Sequence, residues 1–157
     1  MKFTPGQVQE TLQLSPATFR HWKTALPPLS GRNGYTPCFT PGDLLAMAVV
    51  KVLTEEVGIQ VRNLRGIAAD LFAQCNRSPW VGLERMVLMI EQSHSRVNCI
   101  SELQPSIPEA TTILLPLRPA IKTLQDRLLL DHEEPQQEPL RFPPTAVSAK
   151  VRIGDAS

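Results

Sequence analysis

Between Ser15 and Thr24 the chain gathers Ser15, Thr18, Arg20, His21, Lys23 and Thr24, most of them hydrogen-bond donors. Read as a helix at 100° per residue, the stretch separates into two faces. Phe19 and Trp22, with Leu26 just beyond, fall together on one side and should pin the helix to a core. Ala17, Arg20, His21 and Thr24 then point roughly the opposite way, with Thr18 and Lys23 on the flanks. A small residue at the front of such a face permits close approach to a surface. Thr, Arg and His behind it reach phosphate oxygens or base edges in a major groove. Arg20 is the first choice for base or phosphate recognition, because its planar fork suits bidentate acceptors. Water alone can satisfy the same face, so the elements around the helix have to decide between the two readings.

Other chemistry finds little support. The histidines are His21 on that helix face, His94 in a polar turn and His132 in a proline-rich tail. None lies in a nucleophile, metal or phosphate-loop pattern such as GxSxG, HExxH or GxxxxGKS. Cys38, Cys75 and Cys99 show no CxxC or CxH spacing, which leaves no local metal site and no disulfide framework. Cys38 and Cys75 read as small buried hydrophobes. No enzyme activity, cofactor or metal is therefore expected. The longest apolar run, Leu44–Val50, is seven residues, far short of a membrane span, and the opening MKFTPGQVQE lacks the apolar stretch of a secretory signal. Free thiols suit a reducing compartment, so the expected location is cytoplasmic, associated with the nucleoid. Residues 1–65 carry seven Lys/Arg against four Asp/Glu, residues 66–130 balance, and the tail is negative. The positive charge thus accompanies the donor-rich helix, though an excess of this size is also common on ordinary solvated surfaces.

Two nearly identical segments position that helix: Phe3-Thr4-Pro5-Gly6-Gln7-Val8 and Phe39-Thr40-Pro41-Gly42-Asp43-Leu44. In each, threonine can cap free backbone N–H groups and proline occupies the first helical position, where no N–H is needed. Gln7 and Asp43 stand where a capping box is completed, and the Phe3/Val8 and Phe39/Leu44 pairs have the spacing of hydrophobic staples. The predicted first helix runs from about Pro5 to Leu12. After a very short turn, Ser15 caps a second helix from Pro16 to about Ala25. Two short helices joined so tightly suit a helix-turn-helix. Pro27-Pro28 ends the second helix, and Asn33-Gly34 is a strong hairpin signal, so residues 29–39 are expected to form a small β-hairpin, a wing. Supporting helices follow over about 41–56 and 61–73, with apolar residues at helical spacing.

Beyond residue 76 the character changes. Met86–Ile90, Val97–Ile100 and Thr112–Leu115 read as short strands, followed by a helix from about Pro119 to Leu130. Leu117, Ile121, Leu124 and Leu128 make an apolar stripe at spacings of four, three and four. The unit serves either self-association as a homodimer, through the stripe, the apolar strands or both, or intramolecular packing of the stripe on its own small sheet. The predicted fold is mainly α: a winged helix-turn-helix domain over 1–76, a small strand-and-helix (α+β) unit over 77–130, and a flexible tail over 131–157.

These pieces together resemble the MerR family of bacterial transcription regulators. Ser15-Pro16-Ala17-Thr18-Phe19-Arg20-His21-Trp22-Lys23 is similar to that family's recognition helix, which typically reads S-x-x-T-[apolar]-R-x-[aromatic]. Arg32-Asn33-Gly34-Tyr35 resembles the tip of its wing, Phe39-Thr40-x-x-Asp43-Leu44 the start of its next helix, and Glu56-Val57-Gly58-Ile59 a later helix junction. The resemblance covers residues 3 to about 72. It implies a homodimer that binds double-stranded DNA at an inverted repeat. Thr18, Arg20 and His21 would act from the helix, supported by Ala17, Lys23 and Thr24, with Arg32, Asn33 and Tyr35 acting from the wing. Thr36-Pro37-Cys38 departs from the family, which commonly places arginine after Gly-Tyr. The metal-sensing members' cysteine spacing is absent from residues 77–130, which disfavours that role. Excisionase-like, partition or architectural DNA binding is an alternative use of the same module, and a protein-interaction adaptor is another.

Overall fold

The computed structural model describes residues 1–32, 34–104 and 107–131. Its helices are α1 (Pro5–Leu12), α2 (Pro16–Ala25), α3 (Pro41–Glu55), α4 (Arg65–Asn76), the short α5 (Trp80–Leu83) and α6 (Leu117–Asp131). Its strands are β1 (Met86–Glu91), β2 (Arg96–Ser101) and β3 (Ile113–Pro116). The fold is mainly helical with one small sheet. The expected tail beyond Asp131 lies outside the described residues.

The two look-alike segments start α1 and α3 in the same way and lie side by side. Thr4 Oγ1 accepts from the Gln7 amide at 3.2 Å, while the Gln7 carboxamide accepts from the Thr4 amide at 2.9 Å. Thr40 and Asp43 exchange the equivalent bonds at 3.1 and 2.9 Å. Each pairing satisfies amides that a helix start otherwise leaves open. Phe3 and Phe39 form an antiparallel bridge, with Phe3 N–H donating to Phe39 O at 2.8 Å. That bridge fixes the starts of α1 and α3 beside one another.

α3 is the centre of the molecule. Every residue from Gly42 to Val50 is buried, so the helix is covered on all sides rather than along one stripe. Its N-terminus meets the end of α4 so closely that a Cβ on Gly42 would collide with the Asn76 side chain and lie 2.7 Å from the Cys75 carbonyl oxygen. Only glycine permits that approach. The expected helix over 61–73 is displaced: Val61–Leu64 is a 3₁₀ turn, and the α-helix proper begins at Arg65 and continues to Asn76.

All three expected strands form, in the order β2-β1-β3, both pairings antiparallel. Leu88 pairs with Cys99 and Leu115, and Ile90 with Val97 and Ile113, so these residues share the sheet face turned to the core. The chain passes from β3 directly into α6, which packs along α1 and α3. Leu117, Ile121 and Leu124 are at most 1% exposed, and Leu128 lies against the same cluster. The stripe is therefore interior. Dimerisation through it, one of the two readings from spacing alone, gives way to intramolecular packing, because α1 and α3 already cover it. The boundary expected at residue 76 does not divide the core either: one hydrophobic cluster runs from Phe3 to Leu124.

The wing departs from expectation. No strand forms between residues 29 and 38 among those described, and Phe39 bridges only to Phe3. Pro27–Leu29 instead makes a 3₁₀ turn that buries Leu29. A loop follows in which Gly31 (φ 78°) and Gly34 (φ 106°) take left-handed conformations. Pro37 has no N–H to give a ladder, and Arg32 is drawn inward, away from any hairpin partner.

Candidate nucleic-acid interface

α2 is held from below and bare above. Ser15 Oγ accepts the Thr18 amide at 3.0 Å and starts the helix. Phe19 and Trp22 are both 4% exposed, and Leu26 is fully buried. Phe19 meets the ring of Phe39 edge-on, centroids 5.9 Å apart. These anchors fix the rotation of α2, which presents Ala17, Thr18, Arg20, His21 and Thr24 outward. The side chains of Arg20 and His21 make no hydrogen bond or ion pair with a described residue. Lys23 is half-buried, its ammonium 5.9 Å from the Phe19 ring centroid.

Two expected donors are engaged within the helix itself. Thr18 Oγ1 shares a 2.8 Å hydrogen bond with Ser15 Oγ, and Thr24 Oγ1 donates to the Arg20 carbonyl at 3.2 Å. Arg20 and His21 are thus the outward groups with their hydrogen-bonding capacity intact, above the small Ala17.

The turn before α2 is tied down by contacts that local sequence does not show. Gln13 takes a left-handed conformation (φ 53°), and Leu14 N–H donates to Gln9 O at 2.8 Å, closing α1. Lys51 Nζ donates to Leu12 O at 2.7 Å, and Arg127 Nη1 donates to Thr11 O at 2.8 Å. Two carbonyls that a helix end leaves open are thereby satisfied from α3 and α6.

The loop after α2 behaves differently. Arg32 forms an ion pair with Asp43, donates to Cys38 O at 3.4 Å and lies over the Phe39 ring, 5.6 Å from its centroid. Asp43 is only 3% exposed and also accepts from the Thr40 amide and from Asn76 Nδ2, the latter at 3.0 Å. Burial pushes its carboxyl up. The Thr40 amide, the Arg32 guanidinium and the Asn76 amide outweigh that and hold it below the ordinary aspartate value. Arg32, expected on DNA, is thus turned inward as an anchor of the loop. Tyr35, 99% exposed, projects from the loop's far side. Asn33 lies outside the described residues.

Arg62 and Arg65 are residues the sequence reading did not place. The Val61–Leu64 turn packs against α2, with Gly58–Val61 beside Thr18 and Trp22, and both arginines on this segment are exposed. Their three-residue spacing straight after Gly58 was the available signal. Cys75 and Cys99 face away from nucleophilic chemistry, since burial raises both thiols above their ordinary range. Among the described residues no group of three or more His, Cys, Asp or Glu is arranged to hold a metal, and no helix is long and apolar enough to cross a membrane. Compared with protein-family models, with curated proteins and with solved structures, the chain matches none.

Proposed function

We propose that this protein binds double-stranded DNA sequence-specifically through α2, as a regulator of the MerR-like kind. One observation carries the reading. A helix joined to its predecessor by a three-residue turn is locked in rotation by Phe19, Trp22 and Leu26, and its outward face carries Ala17, Arg20 and His21. Pre-orientation of this sort suits direct readout, because a bidentate arginine discriminates only when its approach is fixed. Arg20 is assigned to base or phosphate recognition and His21 to a neighbouring contact. Lys23, Arg62 and Arg65 supply positive charge along the phosphate backbone. Thr18 and Thr24 shape the face more than they donate from it.

The proposal includes a homodimer on an inverted repeat. With the Leu117–Leu128 stripe in the core, the outer face of the sheet, carrying Val87, Met89, Ile100 and Leu114, is the surface we assign to the second copy.

Selection of bound duplexes from a random pool, followed by sequencing, tests the whole reading. The expected result is an enriched inverted repeat. Its binding should weaken steeply with salt, as neutralised phosphates release counterions. A pool that enriches no motif, with binding insensitive to salt, overturns DNA recognition in favour of a protein partner for α2. Enrichment of a single half-site keeps DNA recognition and removes the dimer.

A further inference from the structure

Between α1, α3 and α6 lies a solvent-open cavity of about 270 Å³. Its apolar lining comes from Leu12, Val52, Ala120 and Leu124. Charges of both signs share the walls: Lys51 and Arg127, and on the following turn of α3, Glu55 and Glu56. The two cations are the ones that hold the turn before α2. Lys51 Nζ donates to Leu12 O at 2.7 Å, and Arg127 donates to Thr11 O at 2.8 Å and to Gln13 Oε1 at 3.4 Å. Each retains donors for another acceptor, since an ammonium has three and a guanidinium five. The Lys51–Glu55 contact is long, at 4.0 Å, and leaves both charges incompletely satisfied.

We propose that this cavity binds a small aliphatic α-amino acid, and that occupation loosens the turn between α1 and α2. The volume has room for about nine non-hydrogen atoms, taking about 30 Å³ for each water-sized group. A simple carboxylate would meet Lys51 and Arg127 but lie beside two glutamates. A simple amine would meet the glutamates but lie beside two cations. A zwitterion satisfies both, with its carboxylate on Lys51 and Arg127, its ammonium on Glu55 and Glu56, and its aliphatic part on the apolar lining. A carboxylate also competes well for the cations. A full negative charge attracts the two cations more strongly than a carbonyl dipole does, so the ligand draws Lys51 and Arg127 away from Leu12 O and Thr11 O. Those carbonyls have no partner within α1. That loosening the turn lowers DNA affinity rests on the reading of α2 given above; the binding site does not.

Calorimetric titration of the full chain with L-leucine tests the site, alongside 4-methylpentanoate, which lacks the ammonium, and 3-methylbutylamine, which lacks the carboxylate. Saturable leucine binding, with both analogues weaker by about tenfold, is expected. Absence of saturable leucine binding overturns the proposal, as does an analogue that binds equally well. Glu55 is exposed, so Glu55→Gln should fold normally; it is expected to lower leucine affinity about tenfold without weakening 4-methylpentanoate. Unchanged leucine affinity in that variant overturns the ammonium assignment. Amide exchange at Gln13 and Leu14, followed by NMR, should quicken on saturation with leucine, and unchanged exchange overturns the coupling to the turn. None of these readouts uses DNA, so duplex selection can fail while they succeed, and the two failures are told apart.

Discussion

Helix α2 and the loop that follows it each carry an arginine, and their surroundings set the two to different work. Arg20 stands on a helix whose opposite face is packed by Phe19 and Trp22, and its guanidinium meets no described residue. Arg32 stands in a loop whose described residues form no strand, and its guanidinium supplies the order: an ion pair with buried Asp43, a bond to Cys38 O and a cation–π approach to Phe39. Where the backbone is held by a core, a cation is left over for a partner. Where it is not, the cation becomes part of the scaffold. Phe39 joins the two arrangements, since Phe19 and Arg32 both contact its ring.

The sharpest way to break this contrast is to remove the packing beneath α2. Trp22→Ala should cost about 3–5 kcal/mol, as for other buried large aromatics, read from urea unfolding. A cost below about 1 kcal/mol would mean that α2 is not fixed by its inner face, and the orientation argued for Arg20 would fall with it.

Next in size is the loop's own anchor. Arg32→Ala leaves a nearly buried carboxylate with one charge partner fewer and should cost about 1–3 kcal/mol. Arg32→Lys should recover only part of that, because an ammonium lacks the fork and the flat stacking surface. The pH dependence follows from the same carboxylate. Asp43 is held below its ordinary value, so its contribution is fully present above the unfolded-state pKa of about 4. It is lost as pH falls through the lower folded value. The thermal unfolding temperature of the wild type should therefore fall as acid is added below about pH 4. In Arg32→Ala the folded pKa rises toward the unfolded one, so the acid-dependent part should shrink. An identical pH profile in the two proteins would show that Arg32 does not set the Asp43 charge.

A smaller effect on stability, though the largest on recognition, is expected at Arg20. Arg20→Ala should change unfolding by no more than about 0.5 kcal/mol. It should weaken binding to a selected duplex by about 1–3 kcal/mol, roughly fivefold to 150-fold. Equal affinity for that duplex would remove Arg20 from the interface.

Much of α2 is legible in the sequence because its determinants are local. Ser15 caps Thr18 three residues away, Phe19 and Trp22 share a helical face, and the threonine caps of α1 and α3 use partners at the same separation. The strands were legible as well, from short apolar runs between polar flanks. Contacts distant in sequence were not. Lys51 reaches Leu12 across 39 residues, and Arg127 reaches Thr11 across 116. Periodicity marked Leu117, Ile121 and Leu124 as an apolar stripe but could not say which surface would cover it. The loop after α2 misled for a related reason: Asn33-Gly34 is a genuine turn signal, while the Arg32–Asp43 pair that pulls the chain inward spans 11 residues. Local chemistry placed the helix, and long-range chemistry decided which of its neighbours could share its task.

The smallest expected effect gives the finest test of how helix and loop divide the work. Tyr35 is 99% exposed on the loop that Arg32 anchors. Tyr35→Ala should leave unfolding within about 0.5 kcal/mol of wild type. If the loop only supports α2, duplex affinity should also stay within about threefold, the scale of a single modest hydrogen bond. A loss as large as that of Arg20→Ala would make the loop a second recognition element despite its lack of strands. The anchoring of Arg32 would then have a further role, aiming Tyr35 at DNA. Arg32→Ala should in that case weaken DNA binding as well as the fold, and Arg32→Lys should recover part of both. Measuring Tyr35→Ala and Arg32→Lys together separates a loop that holds the helix from a loop that reads beside it.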